Sequence, residues 1–306
     1  MERGLVSVIM PCYNSAHLAP MALASLLSQT YQEWECLCVD DGSKDELAEV
    51  ASRARDERIR FLRLDQNQGR GRARQVAQQV IRGEFVAMLD ADDWWYPSKL
   101  EKQVAYLREY SDAELVGAGL AIVDASGQML GQRCCEPAEP AKQRRLAPPQ
   151  LAFAAVCVRA AAFARHPFDP TFAIAEDVDW LLRVVLEERY GNVGEPLYAY
   201  FEGNTFNLRK RLSAAAALLR IWRKHFLRYP AQACWQSALT LAKAGGFSLA
   251  AALGQQPRML ARRSLAPTED AVLRHQAALR AVLAVHDERF APSPASADPV
   301  RVSGAP

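Results

Sequence analysis

Four short apolar runs separated by stretches of helical spacing fill the first ninety residues and constrain the fold more than any other feature. Residues 5–10 (LVSVIM), 35–40 (ECLCVD), 59–64 (IRFLRL) and 84–89 (EFVAML) have the length and composition of strands. Between them, Leu18, Leu23, Leu26 and Leu27 mark a helix over 16–28, and residues 46–55 a second. Ala73, Val76, Ala77, Val80 and Ile81 mark the apolar face of a third. Strand and helix in strict alternation predict an α/β protein with a largely parallel sheet and right-handed crossovers. Ligands of such sheets bind beyond the carboxyl ends of the strands. Three polar clusters sit there: PCYN at 11–14, DDGS at 40–43 and DADD at 90–93.

Beyond residue 110 the pattern loosens. Residues 113–130 read as a strand and hairpin turning at ASG, 133–150 as a mobile Pro-rich charged loop, 151–158 as a further strand and 178–188 as a helix. From 208 to 285 the chain is rich in Ala, Leu and Arg and reads as several helices, and its end reads as disordered. A formal charge of +2 over 306 residues argues against bulk nucleic-acid binding. Seven cysteines without paired metal-ligand spacing point to a reducing compartment. The first apolar run is too short for a signal peptide, and no stretch reaches the roughly twenty apolar residues of a membrane span. A cytoplasmic protein is expected; peripheral contact with the inner face of the membrane through the basic C-terminal part stays open.

The acidic clusters each have two readings. Asp90, Asp92 and Asp93 repel one another unless a cation lies among them, or else they form a turn with Asp93 capping the helix that begins near Pro97. Asp40-Asp41 before Gly42 suits a turn with side-chain hydrogen bonds. Glu176-Asp177 suits the first turn of a helix. Arg70, Arg72 and Arg74 continue a basic run that ordinarily means a solvated face. Trp94, Trp95 and Tyr96 either stack on a sugar face or pack as core beneath the acidic loop.

Five motifs in order, VSVIMPCYN, CVDDGSKD, NQGRGRAR, LDADDWWYPSKLEKQ and FDPTFAIAEDVDWLLR, resemble those of family-2 glycosyltransferases over residues 5–202. The resemblance implies a GT-A fold, Rossmann-like with a mostly parallel sheet flanked by helices, and here a helical C-terminal extension. It divides the chain into a GT-A domain at 1–205, with a nucleotide-sugar part at 1–110 and an acceptor part at 111–205. A helical extension at 206–288 and a disordered tail at 289–306 follow. It implies inverting transfer of a sugar from a nucleoside-diphosphate sugar, UDP-linked, to a glycan, lipid-linked saccharide or other acceptor, with Mn2+ or Mg2+ as cofactor and no nucleic-acid partner. Carried over residue by residue, Asp92 is the metal ligand, Asp90 the ribose contact and Asp177 the general base, beside Glu176. Pro11, Tyr13, Asp40 and Asp41 surround the base, and Asn67, Gly69 and Arg74 match the pattern N-x-G-x-x-x-A-R, whose arginine reaches base or phosphate. The family's basic stretch after the last strand is replaced here by Phe201-Glu202, leaving Arg209, Lys210 or Arg211 to substitute. The alternative is a non-catalytic module that keeps the nucleotide-sugar fold within a polysaccharide-assembly complex.

Overall fold

The computed structural model describes residues 1–202, 207–252 and 264–291. Strands β1 (Glu2–Cys12), β2 (Trp34–Asp40), β3 (Ile59–Arg63) and β4 (Gly83–Met88) run parallel, joined by helices α1 (Ala19–Leu27), α2 (Leu47–Arg53) and α3 (Arg70–Gln78). Val6, Val8, Met10, Cys36 and Cys38 face one core layer, and Ile9, Leu37 and Val39 face the other. A parallel sheet covered on both faces needs apolar side chains on both, which is why β1 and β2 read as nearly continuous apolar runs. Near the start of β2, the buried carboxylate of Glu35 is held by Ser7 Oγ at 2.7 Å, Arg82 N at 2.8 Å, Arg82 Nε at 2.9 Å and Arg60 Nη1 at 3.0 Å. Burial pushes its pKa up, but these donors more than offset that and hold it below the usual range.

The sheet continues through β5 (Trp94–Trp95), β6 (Leu115–Val123), β7 (Met129–Arg133), β8 (Ala138–Ala141), β9 (Cys157–Arg159) and β10 (Tyr190–Phe201) in the order β3-β2-β1-β4-β9-β6-β10-β5. β7 pairs with β6, and β8 with β10. Helices α4 (Lys99–Glu109), α5 (Ala160–Arg165) and α6 (Glu176–Glu187) complete this part. Two expectations need correction. The 133–150 segment contains β8, whose Ala138 and Ala141 pair with Asn192 and Tyr190. The run 151–158 is a buried 3-10 turn at Phe153–Ala155 leading into β9, which has only three residues because it bridges β4 and β6 antiparallel to both.

Trp94 and Trp95 take the core reading and not the sugar-stacking one. They form β5, pair with Ala199 and Tyr198, and are buried together with Tyr96. Beyond residue 206, α7 (Leu208–Lys224), α8 (Pro230–Ala252) and α9 (Glu269–Phe290) appear as the composition suggests. Asn207 caps α7 by accepting Lys210 N at 2.9 Å. α9 returns to pack on α1, where Val282 and Phe290 join the same core as β1. Its buried His275 lies 2.6 Å from Tyr96 Oη and 2.8 Å from the Gly127 carbonyl. The expected tail beyond Ala291 lies outside the described residues. Among the described residues no helix is long and apolar enough to cross a membrane.

Candidate functional site

The carboxyl ends of β1, β2 and β4 converge on a cleft of about 200 Å3 lined by Pro11, Tyr13, Asn14, Asp41, Arg70, Asp90 and Asp92, among others. Each strand hands over to a turn built by its own polar residues. Asp40 Oδ1 accepts Ser43 N at 2.8 Å, and its other oxygen lies 3.6 Å from Arg63 Nε. Asp41 spends both oxygens on Gln68 N and Gly69 N, each at 2.7 Å, and so ties the 67–69 loop to the end of β2. Gly42 is required between them: its φ is +74°, and a Cβ there would come within 2.6 Å of the Gln66 backbone. Gly69, at φ +88°, turns the chain into α3.

The acidic loop after β4 separates its three carboxylates. Asp90 Oδ1 receives Arg74 Nη2 at 3.2 Å. Asp93 accepts Tyr198 Oη and Phe201 N, both at 2.8 Å, and does not cap α4, whose N-cap position is Ser98, with no side-chain capping bond. Burial, then Asp92 and Asp90, push the Asp93 pKa well up. Asp92 faces the cleft; burial and Asp90 push its pKa up, opposed by the positive charges of Arg70 and Lys210. A carboxylate whose charge is disfavoured by a like-charged neighbour is relieved by a cation, and a hard divalent ion needs only one or two carboxylates besides phosphate oxygens. Among the described residues no three metal-ligating side chains come together, so the donor set fits only a site that phosphate oxygens complete.

Arg74 does not lie in the cleft. It is 1% exposed, donates to Glu176 Oε1 at 3.0 Å as well as to Asp90, and lies over the Phe153 ring at 4.7 Å. The arginine that does reach the cleft is Arg70, one turn earlier on α3, with Nε 3.7 Å from Glu176 Oε1. Burial lowers its pKa, but the surrounding Asp90, Glu176, Asp177 and Asp92 raise it further, keeping it charged. Its position as first residue of α3 after Gly69 was the signal in the sequence, obscured by the basic run.

Asp177 stands in the first turn of α6 after Ala175, whose φ of +62° swings the chain into the helix. Its Oδ1 accepts the Val178 N at 2.8 Å. The carboxylate lines a second, larger groove of about 750 Å3 between Leu151–Ala154 and the α7–α8 pair. Lys210 and Lys243 also line this groove, with Leu218, Leu239 and Phe247. The groove and the cleft share Arg70 and Asp90, so the two spaces meet there. Of the expected residues, Pro11, Tyr13, Asp41, Asp90 and Asp92 line the cleft; Asp40 is buried behind it and Asn67 is exposed on the loop.

The chain is similar to several known proteins. WfgD of Escherichia coli, a UDP-Glc:alpha-D-GlcNAc-diphosphoundecaprenol beta-1,3-glucosyltransferase, is 39% identical over 107 residues, 35% of this chain and 42% of WfgD. The matched stretch thus spans less than half the length of such curated relatives. S. aureus TarS 1-349 in complex with UDP-GlcNAc superposes with a TM-score of 0.64 at 21% identity, covering 94% of this chain and 89% of that one. The mannosyltransferase PcManGT from Pyrobaculum calidifontis, in complex with GDP-Man and Mn2+, gives 0.55 at 18%, covering 94% and 88%. These likenesses establish the GT-A fold. The model of Glycosyl transferase family 2 matches residues 7–167, more than half of the chain, and the chain belongs to that family.

Proposed function

We propose that the protein is an inverting glycosyltransferase that uses a nucleoside-diphosphate sugar, UDP-linked, and delivers the sugar to a hydroxyl of a glycan or lipid-linked saccharide. The observation that carries this reading is the junction at Arg70 and Asp90. Asp92 lies on the cleft side of it and Asp177 on the groove side, so a donor and an acceptor would face each other across it.

In this reading the nucleotide lies along Pro11, Tyr13 and Asp41, with Asp90 at the ribose. The acceptor oxygen attacks the anomeric carbon as the bond from that carbon to the diphosphate oxygen breaks, and Asp177 takes the hydroxyl proton. Attack from the face opposite the leaving group inverts the configuration. Arg70 and Lys210 oppose the charge growing on the diphosphate, Lys210 standing in for the basic stretch that Phe201-Glu202 replaces. A divalent cation, Mn2+ or Mg2+, held by Asp92 would add Lewis-acid stabilisation of the same oxygens. The uridine donor is supported by the names of WfgD and of the TarS complex, and metal use by Mn2+ in the PcManGT complex.

The test is release of nucleoside diphosphate from a panel of UDP- and GDP-sugars with Mn2+, with and without sugar-diphosphate-polyprenol acceptors. Acceptor-dependent release from a UDP-sugar, with an inverted product by NMR, supports the reading. Failure of every nucleotide-sugar to bind overturns it.

A further inference from the structure

The α7–α8 hairpin departs in charge from the rest of the chain. From Leu208 to Ala252 it carries eight basic residues, Arg209, Lys210, Arg211, Arg220, Arg223, Lys224, Arg228 and Lys243, and no Asp or Glu, whereas the whole chain is only +2. Acids of the α/β part neutralise few of them. Lys224 pairs with Asp169 and Asp179, and Arg228 lies 3.9 Å from Glu187. Arg209, Lys210, Arg223 and Lys243 have no ion pair among the described residues.

The same hairpin exposes its apolar side chains. At the corner between the helices Leu227 is 96% exposed, beside the exposed Phe226, Arg223 and Arg228. Along α8, Trp235, Ala238, Ala242, Gly245, Leu249 and Ala252 recur at helical spacing and all are exposed, with Trp235 at 63% and Leu249 at 61%. This face bears no charge; the single charged residue of α8, Lys243, lies on the face that lines the groove with Gln236, Thr240 and Phe247. A contiguous uncharged face of this kind, on a helix too polar to span a bilayer, needs a partner.

We propose that the corner at Phe226-Leu227 and the outward face of α8 dock on an anionic lipid bilayer. Leu227, Trp235 and Leu249 enter the boundary between headgroups and acyl chains, while Arg223 and Arg228, exposed beside the corner, meet anionic headgroups. Charge decides between this occupant and a second copy of the chain. Two such corners face to face would bring Arg223 and Arg228 of one copy against those of the other with no acid in either hairpin, whereas anionic lipid complements them. Docked this way, α8 has lipid on one side and the groove leading to Asp177 on the other. A lipid-linked acceptor would then reach the base without leaving the membrane surface. The docking surface itself does not depend on the proposed transfer reaction, and its test does not use it.

The experiment is flotation of the full chain with phosphatidylcholine vesicles, with and without phosphatidylglycerol, beside the variant L227D/W235E. Both substituted side chains are exposed, and the variant's melting temperature checks its fold. The proposal expects flotation with the phosphatidylglycerol vesicles, weakened by salt, and a loss of about tenfold or more in the variant. Flotation of the variant equal to the parent overturns it. So does an absence of parent flotation, and light scattering that shows a dimer abolished in the variant would then assign the face to a second copy.

Discussion

Arg74 and Glu176, 102 residues apart in sequence, are joined at 3.0 Å inside the protein, and the same guanidinium reaches Asp90 at 3.2 Å. One buried cation thereby fixes the end of β4 against the start of α6. The carboxylate loop and the helix that bears Asp177 are held in one geometry by a residue that is itself almost inaccessible. Replacing Arg74 by Ala leaves the buried Glu176 with only the longer, 3.7 Å approach of Arg70. A loss of roughly 3–5 kcal/mol in denaturant unfolding is expected, with a smaller loss for Arg74→Lys. An Ala variant as stable as the parent would contradict this role.

Asp177→Asn keeps the shape of the side chain and its bond to Val178 N but removes the basicity. Turnover should fall by about 10²–10⁴-fold while the donor still raises the melting temperature as in the parent. Retained turnover would remove Asp177 from the chemistry.

Arg70 and Lys210 separate from Arg74 by exposure. Arg70→Ala should weaken UDP binding by about tenfold, and the deficit should shrink as salt is raised. Calorimetric titration at two salt concentrations measures both. The fold should be unaffected, because the side chain is largely exposed.

Glu35 sets part of the acid limit of stability. Its folded pKa lies below the ordinary glutamate value. Above that ordinary value its bonds contribute in full; as pH falls through the lowered pKa the native carboxylate protonates and the contribution is lost. Glu35→Gln should therefore cost roughly 1–3 kcal/mol at neutral pH and progressively less in acid. A pH-independent difference in unfolding free energy would contradict the assignment.

The alternation of strand and helix up to residue 89 was legible because local periodicity alone specifies a parallel sheet, and the strand ends then point to the polar clusters. What could not be read is non-local. β9 is three residues long, and its partners β4 and β6 are both distant from it in sequence. Trp94 and Trp95 look like a platform beside an acidic loop until β10, a hundred residues later, pairs with them. The same distance hides Asp93, whose partners Tyr198 and Phe201 lie on that strand. Arg74 matches a family pattern and Arg70 does not, yet on one face of α3 the second-turn Arg74 is buried while Arg70, at the start of the helix, lines the cleft.

The central claim is that Asp92 couples nucleotide binding to a divalent ion. It is tested most directly by the melting temperature of the parent and of Asp92→Ala with UDP, each with and without Mn2+. At about a hundred times its Kd the nucleotide should add roughly 2.7 kcal/mol of stability to the parent, with Mn2+ required for the full shift, and the variant should lose the Mn2+ dependence. An equal Mn2+-dependent shift in the variant, or no shift with UDP or any other nucleoside diphosphate, would contradict the account.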